Sequence, residues 1–390
     1  MAAELPAWLR QRLDAVGGSV PFRTYMEWVL HDPAQGAYGS GRLRIGPAGD
    51  FVTAPSLGSD FAALLAQQLI DWLEALLPAG DGRLSLVETG PGEGQLALDL
   101  ARLIAADRPE LARRLELVLV EPNPGMAARQ RLQLQACPLP RRWASFAELA
   151  AAPVTGVVLA HEVLDALAVE RIVADGALWR RQRVALHGDD LRLEPGELLE
   201  PDQLAQLEAL GLRQPGPQRA SGWCSELHPG LQPWLEECGR GLRCGQLLVI
   251  DYAYEAWRYY APQRAQGTLM AYRAQRASDD PLLEPGAWDL TAHLCLESLQ
   301  LAAARCGWRS LGQCRQGEAL LALGLAERLH GLQQQPEAGL ELLLQRREAL
   351  LRLVDPAALG DFRWIALARG EGRRQPDRPL PRFLQEPPTS

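Results

Sequence analysis

The residues best placed for chemistry form a glycine-rich run, ETGPGEG, at positions 88–94. The apolar stretch LSLVE precedes it, and a run with helical periodicity follows it. Glycines let a backbone pass close to a ligand, and the free amides at a helix N-terminus attract anionic or polar groups. A strand, a glycine loop and a helix in this order predict a nucleotide-type binding loop. The alternative is a turn with a purely structural role.

The spacing of the glycines separates two classes of cofactor. Dinucleotide-binding folds use G-x-G-x-x-G. Here Gly90, Gly92 and Gly94 form a shorter G-x-G-x-G pattern, and Gln95 stands where the third dinucleotide glycine would be. The shorter pattern, with an acidic residue before it, is similar to the loop of S-adenosylmethionine-dependent methyltransferases. That similarity implies that Glu88 lies beneath the methionine end of the cofactor.

A second acidic residue, Glu121, ends the next apolar run, LELVLVE. A carboxylate at such a strand end can accept hydrogen bonds from both hydroxyls of a ribose. The spacing from Glu88 exceeds the roughly 20 residues of the dinucleotide pattern, and a longer helix between the strands explains it. We predict that Glu121 binds the nucleoside; the alternative is a solvated carboxylate.

A third group of polar residues, His161, Glu162, Asp165 and Glu170, follows the apolar run VTGVVLA at 154–160. Ligands of open α/β sheets bind outside the carboxyl ends of the strands. Carboxylates there could hold a guanidinium through charge-assisted hydrogen bonds or accept a proton. We predict Glu162, with Asp165 or Glu170, as the acceptor-binding pair.

Each partner in this third group has an alternative role. Asp165 could cap a helix, and Glu170 could be a solvated strand residue, which is the role we favour for it. His161 is predicted either to shuttle a proton or to be a core histidine.

The elements that would position these residues alternate between strand and helix. This rhythm indicates a Rossmann-like α/β fold with a mostly parallel sheet and helices on both faces. A final antiparallel pair is predicted from WRSLGQC and FRWIALAR, and 290–307 is predicted to be helical. The predicted strands of the parallel part are 84–88, 115–121, 141–145, 154–160 and 245–252.

The flanking segments have different patterns. The N-terminal part is predicted to be helical around a glycine-rich loop, with Ser19 and Pro21 as the N-cap and first-turn pair of its second helix. Residues 169–195 alternate between polar and apolar, which indicates antiparallel strands. The predicted organisation is a helical cap (1–80), a first core part (81–195), an insertion (196–235), a second core part (236–372) and a flexible tail (373–390).

Composition excludes several classes of partner. The net charge is −8 and the chain has no lysine, a poor match for a phosphate backbone, so no nucleic-acid partner is predicted. The seven cysteines form no CxxC pair and the six histidines no HExxH pattern, so no metal site is expected. No apolar run or signal-type N-terminus indicates membrane insertion or export, and we expect a cytoplasmic location. The sequence does not predict an oligomeric state.

Several blocks, in the same order along the chain, resemble one family, the mitochondrial complex I assembly methyltransferases and their bacterial MidA-type relatives. The resemblance extends from about residue 20 to about residue 370. The blocks are FRTYMEWVLHDPAQGAYG, GDFVTAPSLGSDF, LVETGPGEGQLALDL, LVLVEPNPGM, LAHEVLDALAV, LLVIDYAY, GTLMAYRAQR and GAWDLTAHLCLESL.

The resemblance implies a seven-stranded methyltransferase sheet and S-adenosyl-L-methionine as the cofactor. The glycine loop, Glu121 and the loop after the fourth strand would contact that cofactor, and Thr53, Ala54 and Pro55 would line the site. The implied activity is methylation of a protein arginine, and the implied partner is the 49-kDa-type subunit of a complex I-like dehydrogenase.

Three positions depart from the family pattern. His161 replaces the usual Asn, Gln275 replaces a frequent His, and Cys295 replaces an Asp. The family's Asp289, Thr291 and His293 are retained, although caps of the helix predicted from 290 would explain them equally. These departures keep a non-catalytic assembly factor open as an alternative. A small-molecule methyltransferase, which would share the same core, is a second alternative, and an NAD-dependent oxidoreductase, which the glycine spacing disfavours, is a third.

Overall fold

The computed structural model describes residues 5–46, 49–77, 82–334, 339–370 and 380–387. The strands are β1 Ser19–Pro21, β2 Leu84–Thr89, β3 Leu115–Val120, β4 Arg141–Trp143, β5 Val154–His161, β6 Glu170–Asp175, β7 Leu178–His187, β8 Asp190–Leu198, β9 Cys224–Leu227, β10 Leu242–Asp251, β11 Ala253–Tyr254, β12 Met270–Arg273, β13 Arg276–Ser278, β14 Asp289–Thr291, β15 Leu294–Cys295, β16 Arg309–Arg315 and β17 Arg363–Arg369.

Helices fill most of the segments between these strands. Short 3₁₀ helices lie at Ala54–Leu57, Leu134–Ala136 and Arg382–Leu384. The α-helices are α1 Ala7–Ala15, α2 Phe22–His31, α3 Ser59–Leu76, α4 Gln95–Asp107, α5 Pro109–Arg113, α6 Pro124–Gln133, α7 Phe146–Ala151, α8 Pro201–Ala209, α9 Leu231–Gly241, α10 Ala256–Tyr259, α11 Leu296–Arg305, α12 Gln316–Ala322, α13 Leu325–Gln333 and α14 Leu340–Val354.

The central sheet has seven strands in the order β16-β17-β10-β5-β2-β3-β4. Strands β10, β5, β2, β3 and β4 pair in parallel, and β17 runs antiparallel to both β10 and β16. The predicted Rossmann-like α/β fold and its final antiparallel pair are therefore confirmed. This order puts the carboxyl ends of β2, β3, β5 and β10 at one edge of the sheet.

Side-chain alternation along the parallel strands builds a core on each face of the sheet. Leu86 and Val157 belong to a cluster with α3 and α4. Their chain neighbours Val87 and Val158 belong to a second cluster with α9 and α11. Successive strand side chains point to opposite faces, and a parallel sheet covered by helices buries both. The continuous apolar runs in the sequence follow from this double burial.

A second, antiparallel sheet has the order β1-β7-β6-β9, with β8 paired to β7. It confirms antiparallel strands in 169–195, but it also shows that the boundary predicted at 195/196 cuts through one structural unit. Ser19 pairs with Ala185 in this sheet, so its predicted role as an N-cap is wrong. Helix α2 begins at Phe22, directly after Pro21.

The predicted helix over 290–307 starts later than its pattern suggested. Strand β14 pairs with β12, strand β15 pairs with β11, and the helix begins only at Leu296. Pairing with neighbouring strands outweighs local helical periodicity here, because Leu290 and Ala292 are buried against the N-terminal helices.

The tail prediction is wrong for residues 380–387. Phe383 is buried with its ring centroid 6.2 Å from that of Trp72 and 5.5 Å from that of Trp364. Arg382 forms a two-point ion pair with Asp71, at 2.7 Å for each contact. The other residues of the predicted tail, 373–379 and 388–390, lie outside the described part of the chain. Within the described part of the chain, no helix has the length and apolarity to cross a membrane.

Candidate functional site

A cavity of about 1070 Å³ opens at the carboxyl ends of the parallel strands. Nearly all of the predicted site residues line it, although they come from four separate stretches of sequence. Ala54 and Gly94 are absent from the lining, and Gly94 is the left-handed residue directly before α4. The predicted residues in the lining are Thr53, Pro55, Glu88, Gly90, Gly92, Glu121, His161, Glu162 and Asp165.

The glycine loop is shaped as a cradle. Gly90, Gly92 and Gly94 all have positive φ, at 57°, 53° and 83°, which side chains disfavour. A Cβ on Gly90 would lie 2.9 Å from Val163 Cγ2, and one on Gly92 would lie 2.9 Å from Ile45 Cδ1. The loop therefore requires glycine both for its backbone angles and for the space at its surface.

Glu88 presents an unpaired carboxylate below this loop. It is the second-last residue of β2 and is buried, and burial raises the pKa of Glu88 to about 8. Its Oε2 atom has no hydrogen-bond partner. Buried carboxylate oxygens without a donor are unusual and indicate that a donor or cation arrives with a ligand. The ammonium group of an amino-acid moiety has this character.

Glu121 is held next to the loop by two donors. Its Oε1 accepts the Asn123 backbone N–H at 2.8 Å, and its Oε2 accepts the Gln130 side-chain amide at 2.9 Å. Gln130 also donates to Gly92 O at 2.8 Å. Burial still raises the pKa of Glu121 above its ordinary value, despite the opposing effect of these donors. Each oxygen keeps acceptor capacity for ribose hydroxyls; Gln130 was not among the residues predicted from sequence.

The N-terminal segment covers the loop from the other side. The Asn123 amide donates to Tyr38 O at 2.6 Å and to Gly39 O at 2.7 Å. The Arg129 guanidinium donates to Gly41 O at 2.9 Å and pairs with Glu93 at 2.9 Å. Thr53 and the 3₁₀ helix after it then reach the cavity. Residues of the N-terminal segment, which are far from the glycine loop in sequence, thus cover this loop.

Four carboxylates beyond the loop form what we call the acidic group: Glu162, Asp165, Asp251 and Asp289. All are buried or nearly so, and burial is the largest cause of the raised pKa of each. Repulsion by Asp251 and by its other neighbours raises the pKa of Asp165 further. Like charges in a low-dielectric space are costly. This part of the cavity therefore suits a cation.

Glu162 sits in this group with a strained backbone. Its φ is +53°, a conformation that costs a non-glycine residue roughly 1–3 kcal/mol. Burial, and then the charges of Asp251 and Asp289, hold the pKa of Glu162 well above its ordinary value, with a smaller opposing contribution from the Ala54 backbone N–H. Its Oε1 has no hydrogen-bond partner. Such strain is typical of functional positions.

Asp251 organises the loop that carries Glu162 and Asp165. Its Oδ2 accepts backbone N–H groups of Val163, Leu164 and Asp165 at 3.3, 2.9 and 3.3 Å. Burial raises the pKa of Asp251 to about 7 against the effect of these donors. Sequence reasoning missed this residue. The available signal was a carboxylate at the end of the buried strand GQLLVID, the neighbour of VTGVVLA in the sheet.

Asp289 begins β14 and was considered either as a retained polar residue of the family pattern or as a helix cap. The second alternative is wrong, because α11 starts seven positions later at Leu296. Burial raises the pKa of Asp289 to about 7, and a hydrogen bond from Tyr38 partly opposes this rise. Asp289 Oδ1 has no partner. The structure thus adds Asp289 and Tyr38 to the cavity wall.

His161 is neutral in this environment. Burial lowers its pKa to about 3, and its ring packs 5.3 Å from Phe61 and 6.3 Å from Phe362, measured between centroids. Its Nδ1 lies 3.5 Å from Glu162 Oε1, and Nε2 has no partner. A neutral imidazole can still donate or accept one hydrogen bond towards the cavity.

Glu170 does not join the acidic group. It is buried in β6, 3.7 Å from the Arg181 guanidinium, and is absent from the cavity lining. Both roles considered for it, a clamp partner of Glu162 and a solvated strand residue, are therefore wrong. Strand β6 belongs to the antiparallel sheet and not to the central one, so Glu170 lies away from the site.

The three departures from the family pattern have different surroundings. His161 and Gln275 line the cavity, whereas Cys295 is buried elsewhere, in a cluster with Tyr259 and Tyr260. The Gln275 amide donates to Gly49 O at 2.9 Å. It therefore fastens the β12–β13 turn to the N-terminal segment.

Comparison with known proteins points in the same direction as this geometry. Residues 64–314 match a family of S-adenosyl-L-methionine-dependent methyltransferases. The crystal structure of a COG1565 superfamily member from Burkholderia thailandensis, bound to S-adenosyl-homocysteine, is similar with a TM-score of 0.83 and 30% identity, covering 98% of this chain and 95% of that one.

Two curated relatives are similar along most of their length. The protein arginine methyltransferase NDUFAF7 homolog of Drosophila melanogaster is 28% identical, over 90% of this chain and 82% of the relative. The protein arginine methyltransferase NDUFAF7 of Homo sapiens is 26% identical, over 90% of this chain and 80% of the relative. Both are described as mitochondrial.

Proposed function

This chain belongs to that family of S-adenosyl-L-methionine-dependent methyltransferases, and from this premise we propose that its methyl acceptor is an arginine side chain of a protein. The observation that carries the proposal is the acidic group, in which Glu162 Oε1 and Asp289 Oδ1 are buried without a donor. A guanidinium is a permanent cation with five N–H donors in a plane. It supplies what these oxygens lack.

The cofactor fits the other half of the cavity. When bound, S-adenosyl-L-methionine supplies a methyl group carried by a sulfonium ion. The glycine loop offers close backbone approach at Gly90 and Gly92, and Glu121 is placed to accept the ribose hydroxyls. Glu88 has a free buried oxygen for the amino group of the methionine part. These residues would hold the cofactor with its methyl end towards the acidic group.

The acidic group would orient the acceptor and handle its charge. Carboxylates that bind a guanidinium through paired hydrogen bonds fix its plane and draw its positive charge away from the attacking nitrogen. Orientation of this kind supplies a large part of the acceleration of a transfer between two bound groups. The nitrogen that gains the methyl group loses a proton, and a carboxylate whose pKa is raised by burial is a suitable acceptor.

The test is methyl transfer from isotopically labelled S-adenosyl-L-methionine to an array of arginine peptides and their lysine counterparts. We expect label on arginine peptides only. Glu162→Gln should reduce transfer by at least about 100-fold while leaving cofactor affinity nearly unchanged. Glu170→Gln, a similarly buried carboxylate outside the cavity, is the matched control and should retain transfer. Label on lysine peptides, or full turnover by Glu162→Gln, would contradict the proposal.

Two finer statements complete the proposal. The acceptor protein would be a 49-kDa-type subunit of a complex I-like dehydrogenase, and the enzyme would act in the cytoplasm. The similarity to the complex I assembly methyltransferases, along the sequence blocks of that family, supports this acceptor protein. Incubating the purified subunit with the enzyme and labelled cofactor tests it directly: label on an arginine of that subunit would support it, and an unlabelled subunit under conditions that label arginine peptides would count against it.

A further inference from the structure

Two carboxylate oxygens in the acidic group have no hydrogen-bond partner, and they come from distant parts of the chain. The atoms are Glu162 Oε1 and Asp289 Oδ1. Glu162 is the residue directly after β5, and Asp289 is the first residue of β14. Both residues line the same cavity, and the charge of Asp289 acts on Glu162 strongly enough to raise its pKa. Buried acceptors without donors are rare in folded proteins. Their shared cavity indicates that one ligand supplies donors to both.

Asp165, the residue that the sequence offered as the partner of Glu162, is differently placed. The neighbouring Ala166 backbone N–H opposes the rise in the pKa of Asp165, and the Asp165 N–H donates to Asp251 Oδ2. Asp289 Oδ1, in contrast, is fully buried without a hydrogen-bond partner. The better second carboxylate is therefore the one on β14.

Asp289 is rigidly held from two sides. It pairs with Tyr272 in the antiparallel β12–β14 ladder, and the Tyr38 side chain lies close enough to its carboxylate to lower the pKa of Asp289 against the effect of burial. The turn after β12 is tied to the N-terminal segment, because Asp50 accepts the backbone N–H of Ala274 at 3.1 Å. Side chains on strands with such support hold a ligand-binding position more precisely than side chains on free loops.

We propose that Asp289 is the second acceptor-binding carboxylate and that, together with Glu162, it binds the guanidinium of the substrate arginine. A guanidinium offers separate pairs of N–H donors along its edges, so two carboxylates can each bind one edge and leave a nitrogen for the reaction. Tyr38 is a positioning residue, since its side chain acts on the Asp289 carboxylate, whose Oδ1 has no hydrogen-bond partner. This inference rests on the arginine acceptor proposed above.

The test uses two small probes, N-acetyl-arginine amide and its uncharged isostere N-acetyl-citrulline amide. Each is titrated into the full chain saturated with S-adenosyl-homocysteine, and binding is followed by ligand-observed NMR. The wild type should bind the arginine probe about tenfold or more tightly than the citrulline probe. Asp289→Asn should abolish this preference while its affinity for S-adenosyl-homocysteine stays within about twofold. A merely structural role would not selectively remove the discrimination between the probes.

Glu27→Gln is the matched control, because Glu27 is an exposed carboxylate of α2 at the same cavity. It should keep the preference for arginine, which separates a specific contact from general negative charge. An unchanged preference in Asp289→Asn would overturn the role of Asp289 and leave the arginine acceptor standing. Failure of the wild type to prefer arginine would overturn both.

A second variant covers loss of folding in Asp289→Asn. Tyr38→Phe keeps the ring and removes only the hydroxyl that holds Asp289. It should weaken binding of the arginine probe by about three- to tenfold with cofactor affinity unchanged, and Tyr25→Phe, which removes a hydroxyl bonded to Pro281 O instead, should not. Equal affinities in the Tyr38→Phe variant and the wild type would overturn the proposal.

Discussion

Asp251 Oδ2, at the end of β10, accepts the backbone N–H of Leu164 at 2.9 Å, in the loop that follows β5. The same oxygen accepts the N–H groups on either side of Leu164 at 3.3 Å. One carboxylate therefore holds three consecutive amides of the neighbouring strand's loop. The strained conformation of Glu162 directly before them is maintained by this contact.

We expect Asp251→Asn to weaken both folding and catalysis. Both oxygens of Asp251 accept backbone N–H groups, Oδ1 from Tyr252 and Oδ2 from the loop after β5, so an amide in either orientation turns its NH2 group towards N–H donors. Loss of a buried acceptor costs about 1–3 kcal/mol, measurable as a lower free energy of unfolding in urea. Methyl transfer should fall more than cofactor affinity. Asp189→Asn, at a side chain that is 96% exposed, is the control; an equal effect in both variants would refute this role.

Gly92→Val should block cofactor binding. The substitution adds a side chain where a Cβ already meets Ile45 Cδ1 at 2.9 Å, on a backbone with φ of 53°. Gly176→Val separates the two causes, because Gly176 has a φ of 59° and open space around it. Both variants should lose about 1 kcal/mol or more of stability, but only Gly92→Val should lose S-adenosyl-homocysteine affinity in calorimetry. Equal affinities would argue against this loop as the cofactor cradle.

Glu88 should make the cofactor-free protein less stable as pH rises. Its pKa is about 8 when folded against 4.5 ordinarily, so between these values the folded state holds a proton that the unfolded state has released. Glu88→Gln removes this dependence. Relative to the wild type, the variant should therefore gain stability from about pH 5 to about pH 8, by up to about 1.4 kcal/mol per pH unit.

Urea unfolding of both proteins across that range measures the difference. A difference between Glu88→Gln and the wild type that does not change with pH would contradict the raised pKa.

Phe383→Ala should destabilise the whole domain without touching the site. The ring is buried against Trp72 and Trp364, and truncation of a buried Phe costs about 3–5 kcal/mol. Leu380→Ala, at a side chain that is 61% exposed, should cost less than about 0.5 kcal/mol. Thermal and urea unfolding check both, and calorimetry should show unchanged cofactor affinity in the folded variants. If Phe383→Ala left the free energy of unfolding unchanged, the C-terminal segment would not stabilise the core.

Much of this molecule could be predicted because the relevant signals are local. Periodicity distinguishes buried strands from amphipathic helices, and the three glycines are needed by the backbone of their own loop. In a parallel sheet the strand ends meet at one edge, so Glu88, Glu121 and Glu162 could be assigned to one site without knowing any contact. Their burial and geometry agree with that assignment, while their chemical roles stay predictions.

The helix predicted from 290 and the flexible tail failed for a different reason. Local pattern around Leu290 is compatible with a helix, and only pairing with β12 makes it a strand. Nothing near Phe383 in sequence reveals that Trp72 and Trp364 will bury it. Tertiary contacts of this kind override local preference because they contribute more free energy than the propensities they oppose.

The sequence by itself determined the fold class, the glycine loop and the carboxylates at the strand ends, because each depends on residues close together along the chain. Only the tertiary structure decided which carboxylates come together in the acidic group. It excluded Glu170, just eight positions from Glu162, and brought in Asp289 and Tyr38 from opposite ends of the chain. The physical reason is that charge interactions and burial depend on distance in space, which strand pairing sets and sequence separation does not.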